Sequence, residues 1–239
     1  MRFSVIALLC LLPAFATCAD TLRIAAENSW PPYSDARGLG LSYRIVTEAL
    51  KVVGHDIHIE VVPYARALRL ADSGDADAVW NVTLDDSTRQ RFHFGQQPLL
   101  RATGYFYYKR GNEKAYQSLV EVPDQTRIAV INDYEYGNTF VEQQQRFILI
   151  RVATQTQIVK LLQSGRADMA IMFEQVAQYT LQQSGQTEAL SKGARNHVSD
   201  IYLAFNRNEP SSAQYARDLD HGLIEIQSNG TYQKIMDSQ

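Results

Sequence analysis

Apolar residues recur along this chain in two rhythms, one of every second residue and one of helical spacing, and the two alternate through most of its length. Thr21–Glu27 reads as a strand. It gives way to the turn-rich segment Asn28–Tyr33, where Pro31 and Pro32 stiffen the backbone and present Trp30 and Tyr33. From Leu41 to Val53 the apolar positions Leu41, Ile45, Val46, Ala49, Leu50 and Val53 share one helical face, and Gly54 supplies the stop. Ile57–Val62 is β-branched and alternating, Tyr64–Ala71 is a second helix closed by Gly74, and Asp77–Val82 is a third strand followed by a polar loop. This β-α-β-α-β order predicts a parallel sheet with helices on its faces.

A long extended run, Leu100–Arg110, follows, and then the rhythm restarts. The second series comprises a short helix (Lys114–Val122), a strand (Arg127–Ile131), a polar loop (Asn132–Gly137) and a helix (Asn138–Gln145). It continues with a strand (Ile148–Val152), a helix (Gln155–Gln163), a strand (Asp168–Phe173) and a helix (Gln175–Gln183). Asp200–Asn206 is another β-rich run, and two closing helices are separated at Asn229-Gly230. Ser73-Gly74-Asp75-Ala76-Asp77 is matched by Ser164-Gly165-Arg166-Ala167-Asp168, each at a helix-to-strand turn. Two such series predict two Rossmann-like α/β lobes, with the two extended runs as crossover strands. The first lobe would take residues 20–108 plus 204–239 and the second 109–203. Asp77 and Asp168 brace their turns in this reading and carry no chemistry.

The beginning of the chain changes the picture. Met1-Arg2, the apolar run Val5–Leu12 and the small-residue exit from Pro13 to Ala19 form a secretory signal peptide over residues 1–19, cut after Ala19. Phe15 and Thr17 depart from the pattern of a lipid-anchoring cysteine at Cys18. Both cysteines, Cys10 and Cys18, fall in the leader, so the mature chain has neither disulfide nor thiol chemistry. Loss of Arg2 leaves 22 basic residues against 26 acidic ones. That mild acidity argues against nucleic acid, and the chain is expected to be periplasmic and monomeric. The scattered histidines, His55 and His58 included, read as loop residues and not as a metal site. No nucleophile–base signature, phosphate loop or metal-spaced cluster occurs, so neither cofactor nor enzymatic activity is expected.

Candidate binding chemistry gathers at the carboxyl ends of the predicted strands, where open α/β sheets hold ligands. Arg89 offers a planar fork of donors for a carboxylate, or else pairs on the surface with Asp85 or Asp86. Trp30 and Trp80, the only two tryptophans, are either stacking walls or core. Asn81 and Thr83 follow Trp80. Tyr136, Gly137, Asn138 and Thr139 open a helix, as ligand donors or as ordinary capping residues. Phe173 and Glu174 close the second repeat.

Taken together, Trp30-Pro31-Pro32-Tyr33, Leu70–Asp77, Asp86–Pro98 and Gly165–Met169 resemble, in order and spacing, the motifs of the family 3 periplasmic solute-binding proteins, best known as amino-acid receptors of ABC importers. The resemblance implies a type II periplasmic binding fold: two lobes on two hinge strands that close over a small polar or carboxylated, amino-acid-like solute. Its carboxylate-binding arginine falls on Arg89, its polar contacts near Asn81 and Thr83, and its aromatic wall on Trp30, with Trp80 as a second candidate. The partner it implies is an ABC permease or a membrane sensor. Three departures stand out. Asp86 replaces the family's threonine, one residue is missing between Arg89 and Phe94, and Phe173 stands where an aspartate usually holds the substrate amine, with Glu174 next to it. The same fold also resembles periplasmic cyclohexadienyl dehydratases, for which Glu174 or Asp86 would be the general acid.

Overall fold

A computed structural model describes residues 20–238 of the chain; the predicted leader, with Cys10 and Cys18, lies outside them. The first series is β1 (Thr21–Glu27), α1 (Leu41–Val52), β2 (Asp56–Val62), α2 (Tyr64–Ser73), β3 (Ala78–Thr83), α3 (Asp86–Arg91) and β4 (Phe92–Phe94). The second is β5 (Leu100–Lys109), β6 (Arg127–Ile131), α4 (Asn138–Gln143), β7 (Ile148–Val152), α5 (Gln155–Gln163), β8 (Met169–Phe173) and α6 (Glu174–Gln183). β9 (Leu190–Asn206), α7 (Ser212–Ser228) and α8 (Thr231–Met236) complete the chain.

The strands lie in the order β2-β1-β3-β9-β5-β8-β6-β7, with β4 pairing to β9. The two ends mirror each other. β1 runs parallel to β2 and β3, as β6 does to β7 and β8. An antiparallel strand then closes each set, β9 beside β3 and β5 beside β8. β5 and β9 also pair with one another, from Leu100 opposite Ile201 to Lys109 opposite Leu190. They are the two strands that join the lobes of a type II periplasmic binding fold.

The repeated aspartates act alike. Asp77 accepts from the Arg23 backbone N–H at 2.7 Å and pairs with the Arg23 guanidinium at 2.6 Å. Asp168 accepts from the Arg127 N–H at 2.9 Å and pairs with its guanidinium at 2.5 Å. Each carboxylate ties the turn before one inner strand to the start of the strand beside it.

Three predicted segments differ from the structure. The polar loop after β3 holds α3 and β4, because the Asp85 carboxylate caps the Ser87 and Thr88 N–H groups, both at 2.9 Å, and so starts a helix. The helix expected over Lys114–Val122 is one tight turn, Leu119–Glu121, since Leu119 and Val122 are the residues of that stretch buried in the core. The strand expected over Asp200–Asn206 begins ten residues earlier, at Leu190. Its first half is polar and half-exposed, so no apolar alternation announces it; the hydrogen-bond ladder to β5 holds it.

α7 returns across the first sheet and packs on α1, with Leu219, Leu223 and Ile226 joining Ile45, Val46, Ala49 and Leu50 in one core. Gly222 makes this approach possible: a Cβ there would stand 1.9 Å from the carbonyl oxygen of Ala49. Gly222→Ala is therefore expected to push the helices apart and cost about 1–3 kcal/mol. An unchanged urea midpoint in equilibrium unfolding would contradict this packing.

Candidate functional site

The carboxyl ends of β1, β3, β6 and β8 face one another across the β5–β9 pair, and a small cavity lies between them. Trp30, Tyr64, Asn81 and Thr83 line it from one side, and Tyr134, Glu135 and Phe173 from the other. Trp30 is held by the loop after β1, where its N–H and carbonyl both bond to Ser34 at 2.9 and 3.0 Å. Its ring meets Phe173 edge-on at 5.2 Å and Tyr33 at 4.4 Å. Tyr64 meets Tyr134 edge-on at 4.9 Å.

Two carboxyl groups are set into this aromatic enclosure. Glu27, the last residue of β1, is 1 % exposed. It accepts a hydrogen bond from the hydroxyl of Tyr134 and a 3.4 Å bond from the Asn81 amide. Burial pushes its carboxyl up to about 8, against the ordinary 4.5. Glu135 is half-buried and accepts from the Tyr64 hydroxyl at 2.9 and 3.2 Å. Desolvation carries it, too, up to about 8. The two pairs are reciprocal, each joining a carboxyl of one lobe to a phenol of the other.

Asn81 adopts a left-handed backbone, φ 67°, where the β3–β9 register shifts between Val79 and Val82. That irregularity turns the side chain inward. Its amide accepts from the Ser42 hydroxyl at 2.6 Å and reaches Glu27 with the other end. A non-glycine residue held in this conformation stores strain that the surrounding contacts must sustain.

A groove on the hinge side is lined by Thr83, Gly137, Asn138, Thr139, His197 and Tyr202, among others. The His197 Nδ1 lies 2.8 Å from the Asn196 amide nitrogen, which assigns the proton to Nε2. Burial holds this imidazole neutral, down to about 4. Its buried Nε2 and the buried indole Nε1 of Trp30 both lack a hydrogen-bond partner, and buried donors of this kind ask for one. Gly104 leaves room for this ring: a Cβ there would stand 2.3 Å from the imidazole, which would have to shift.

The structure thus brings Trp30, Asn81, Thr83 and Phe173 together in the cavity, and Gly137, Asn138 and Thr139 in the adjoining groove. Tyr33 stands behind Trp30 and donates across the lobes to Gln175 at 2.7 Å. Tyr136 is core, its oxygen taking the Ile131 N–H at 2.8 Å, though it borders the outer mouth of the cleft.

Three expected residues stand elsewhere. Trp80 is fully buried in the first lobe's core, edge-on to Tyr43 at 6.3 Å. Glu174 pairs outward with Lys192 at 2.5 Å. Arg89 is exposed on α3. The reason is helical register: Thr88 takes the inward position, 1 % exposed and donating to the Thr83 carbonyl at 2.7 Å, so the next residue faces solvent. Asp86, also exposed in the first turn of α3, has no place in the cavity.

Glu27, Tyr64, Tyr134, Glu135 and His197 are the residues that reading the sequence missed. Position was the available signal for Glu27 and Glu135, each an acid at or just past the end of a predicted strand.

A family model for the bacterial extracellular solute-binding proteins, family 3, matches residues 22–238. A search of curated proteins returns no match. Among solved structures, the chain is similar to a histidine kinase sensor domain with similarity to periplasmic binding proteins (TM-score 0.79, 16 % identity, 91 % of this chain and 94 % of that one). It is similar as well to an amino acid ABC transporter substrate-binding protein from Streptococcus pneumoniae bound to L-arginine (TM-score 0.75, 17 % identity, 91 % and 93 %). A third is an ancestral amino acid-binding protein described as a precursor of cyclohexadienyl dehydratase (TM-score 0.74, 16 % identity, 91 % and 94 %). At these identities the likeness is one of fold. Among the described residues no helix is long and apolar enough to cross a membrane.

The titrating groups make the site's protonation testable. Glu27 and Glu135 bind protons more tightly folded than unfolded, so their contribution to stability is lost as pH rises from 4.5 through about 8. His197 works in the opposite sense, losing stability as pH falls from 6.5 towards about 4. Between about pH 6.5 and 8 the carboxyls alone of these groups act, and the melting temperature should fall across that window. Glu27→Gln should flatten the fall; an unaltered pH profile in the variant would refute the burial of a protonated acid there.

Proposed function

The chain belongs to the bacterial extracellular solute-binding proteins of family 3, and from that premise we propose that it captures a small polar solute between its two lobes and presents it to a membrane partner, an ABC permease or a sensor. One observation carries the reading. A cavity at the facing strand ends is lined from both lobes, and buried N–H donors of Trp30 and His197 lie at it and at the adjoining groove without partners. The solute docks on the first lobe against Trp30, Asn81 and Thr83, and the second lobe brings Tyr134, Glu135 and Phe173 over it. Residues 20–108 plus 204–239 and residues 109–203 are the two moving bodies in this proposal. Bending falls on β5 and β9, and the solute shifts the population toward closure by its preference for the closed form. The working protein is the exported chain, beginning at Asp20 if the leader is cut after Ala19.

A thermal-shift screen across amino acids, amines, organic acids and sugars should yield at least one stabiliser, since a solute that binds only the native state raises its melting temperature. Trp30→Ala should abolish that shift, while Arg89→Ala should leave affinity within about twofold, as expected of an exposed side chain. No stabiliser, or one indifferent to Trp30→Ala, would refute the reading.

A second reading has an observation of its own. Glu135 is a carboxyl held protonated near neutral pH at the rim of the cavity, the state a general acid needs, and one fold neighbour is a dehydratase precursor. Turnover of prephenate by the wild-type protein, lost in Glu135→Gln, would establish an enzyme; its absence leaves binding as the function.

A further inference from the structure

We infer that the solute is a small organic cation without a carboxylate, a protonated amine or guanidine, held between the carboxyl groups of Glu27 and Glu135. The inference rests on the binding reading above and narrows it by charge. The groups that line the cavity are four aromatic side chains, an amide, a hydroxyl and the carboxyl of Glu135, with Glu27 one bond away through both Asn81 and Tyr134. No lysine or arginine is among them. Arg89 faces solvent, Lys192 is engaged outside with Glu174, and the imidazole of His197 is neutral. Arg91 and Arg151 stand in the outer mouth, together with Asp85 and Asp133.

A carboxylate placed here would be desolvated beside two carboxyl groups with no cation to meet it, and such burial is strongly unfavourable. A cation finds the opposite. Its N–H groups can replace the two phenol hydroxyls that now occupy Glu27 and Glu135, as charge-assisted bonds. The rings of Trp30, Tyr64, Tyr134 and Phe173, which line the cavity, supply aromatic groups to which a positive charge is attracted. The reciprocal phenol–carboxyl pairs then act as an internal competitor, displaced only by a solute whose donors better theirs. Tyr64, Tyr134, Tyr136, Asn81 and Asp85 are the polar neighbours of the two acids, and Glu135 also feels Glu27. With both carboxyls carrying protons near neutral pH, an arriving cation takes over as their counter-charge and protons leave.

The test compares matched pairs: agmatine with arginine, cadaverine with lysine, and tyramine with tyrosine, with succinate as an anion. Titration calorimetry at neutral pH in two buffers of different ionisation enthalpy reads affinity and proton release together. At least one amine should bind, with its amino acid weaker by about tenfold or more, and the heat should differ between buffers by an amount that reports release. Glu27→Gln and Glu135→Gln, both isosteric, should each weaken that amine by about tenfold or more, and Tyr64→Phe, which removes the internal donor to Glu135, should tighten it. The inference is overturned if an amino acid binds as tightly as its amine, if succinate binds, or if no amine binds. A carboxylated ligand that Trp30→Ala eliminates would sink the charge assignment alone, whereas amine binding that survives Trp30→Ala would sink the cleft reading with it.

Discussion

Everything at the cleft depends on one backbone ladder. β5 and β9 pair with each other at the middle of one sheet, while each also closes a different set of parallel strands, β5 the set around β6 and β9 the set around β1. Because the parallel strands of both sets end on the same side of this ladder, their carboxyl ends and the loops after them point at each other. The loops are thereby forced into proximity from distant parts of the chain: the Tyr64–Glu135 bond spans 71 positions and Glu27–Tyr134 spans 107. Hydrogen bonds along the ladder hold without help from side-chain chemistry, so the first half of β9 is free to be polar.

That geometry sets an electrostatic problem which the cavity solves with protons and phenols. A carboxylate as enclosed as Glu27 would lose its hydration and receive no cation in return, so the acid is retained in neutral form and satisfied by a hydroxyl. The same arrangement occurs across the gap at Glu135 and Tyr64. The contacts between the two lobes at the cavity are thus hydrogen bonds between carboxyls and phenols, and not ion pairs such as those at Arg23–Asp77 and Arg127–Asp168. Those pairs, each within a single lobe and partly exposed, hold turns in place.

The fold was largely legible because it is written in local signals. Helix faces such as Leu41–Val53, glycine stops and the doubled Ser-Gly-x-Ala-Asp turn each report on neighbours a few residues away. What escaped was set by distant partners or by register. β9 runs back to Leu190 because β5 lies alongside it, not because Leu190–Ser199 alternates. The cavity was half legible: Trp30 follows β1, Asn81 and Thr83 lie in the second half of β3 and Phe173 ends β8, and all four line the cavity. Trp80 lies in the middle of β3, where every side chain is buried, and this one points into the core.

Arg89 and Glu135 show why charge is the hardest part of such a site to read. Both lie in a loop or short helix after a strand, and a motif gives a place to Arg89 alone, by counting residues. In a helix of six residues one position of phase decides between cleft and solvent, and the Asp85 cap together with the Thr88 hydroxyl sets that phase so that Arg89 points out. In the second lobe, Asp133 turns the chain through a left-handed conformation, φ 59°, directly before Tyr134 and Glu135 enter the cleft. A fold that elsewhere accommodates carboxylates therefore presents acids here, through local backbone geometry and without any change in topology. The strand ends decide where these groups meet, and the few residues that follow them decide which charges they bring.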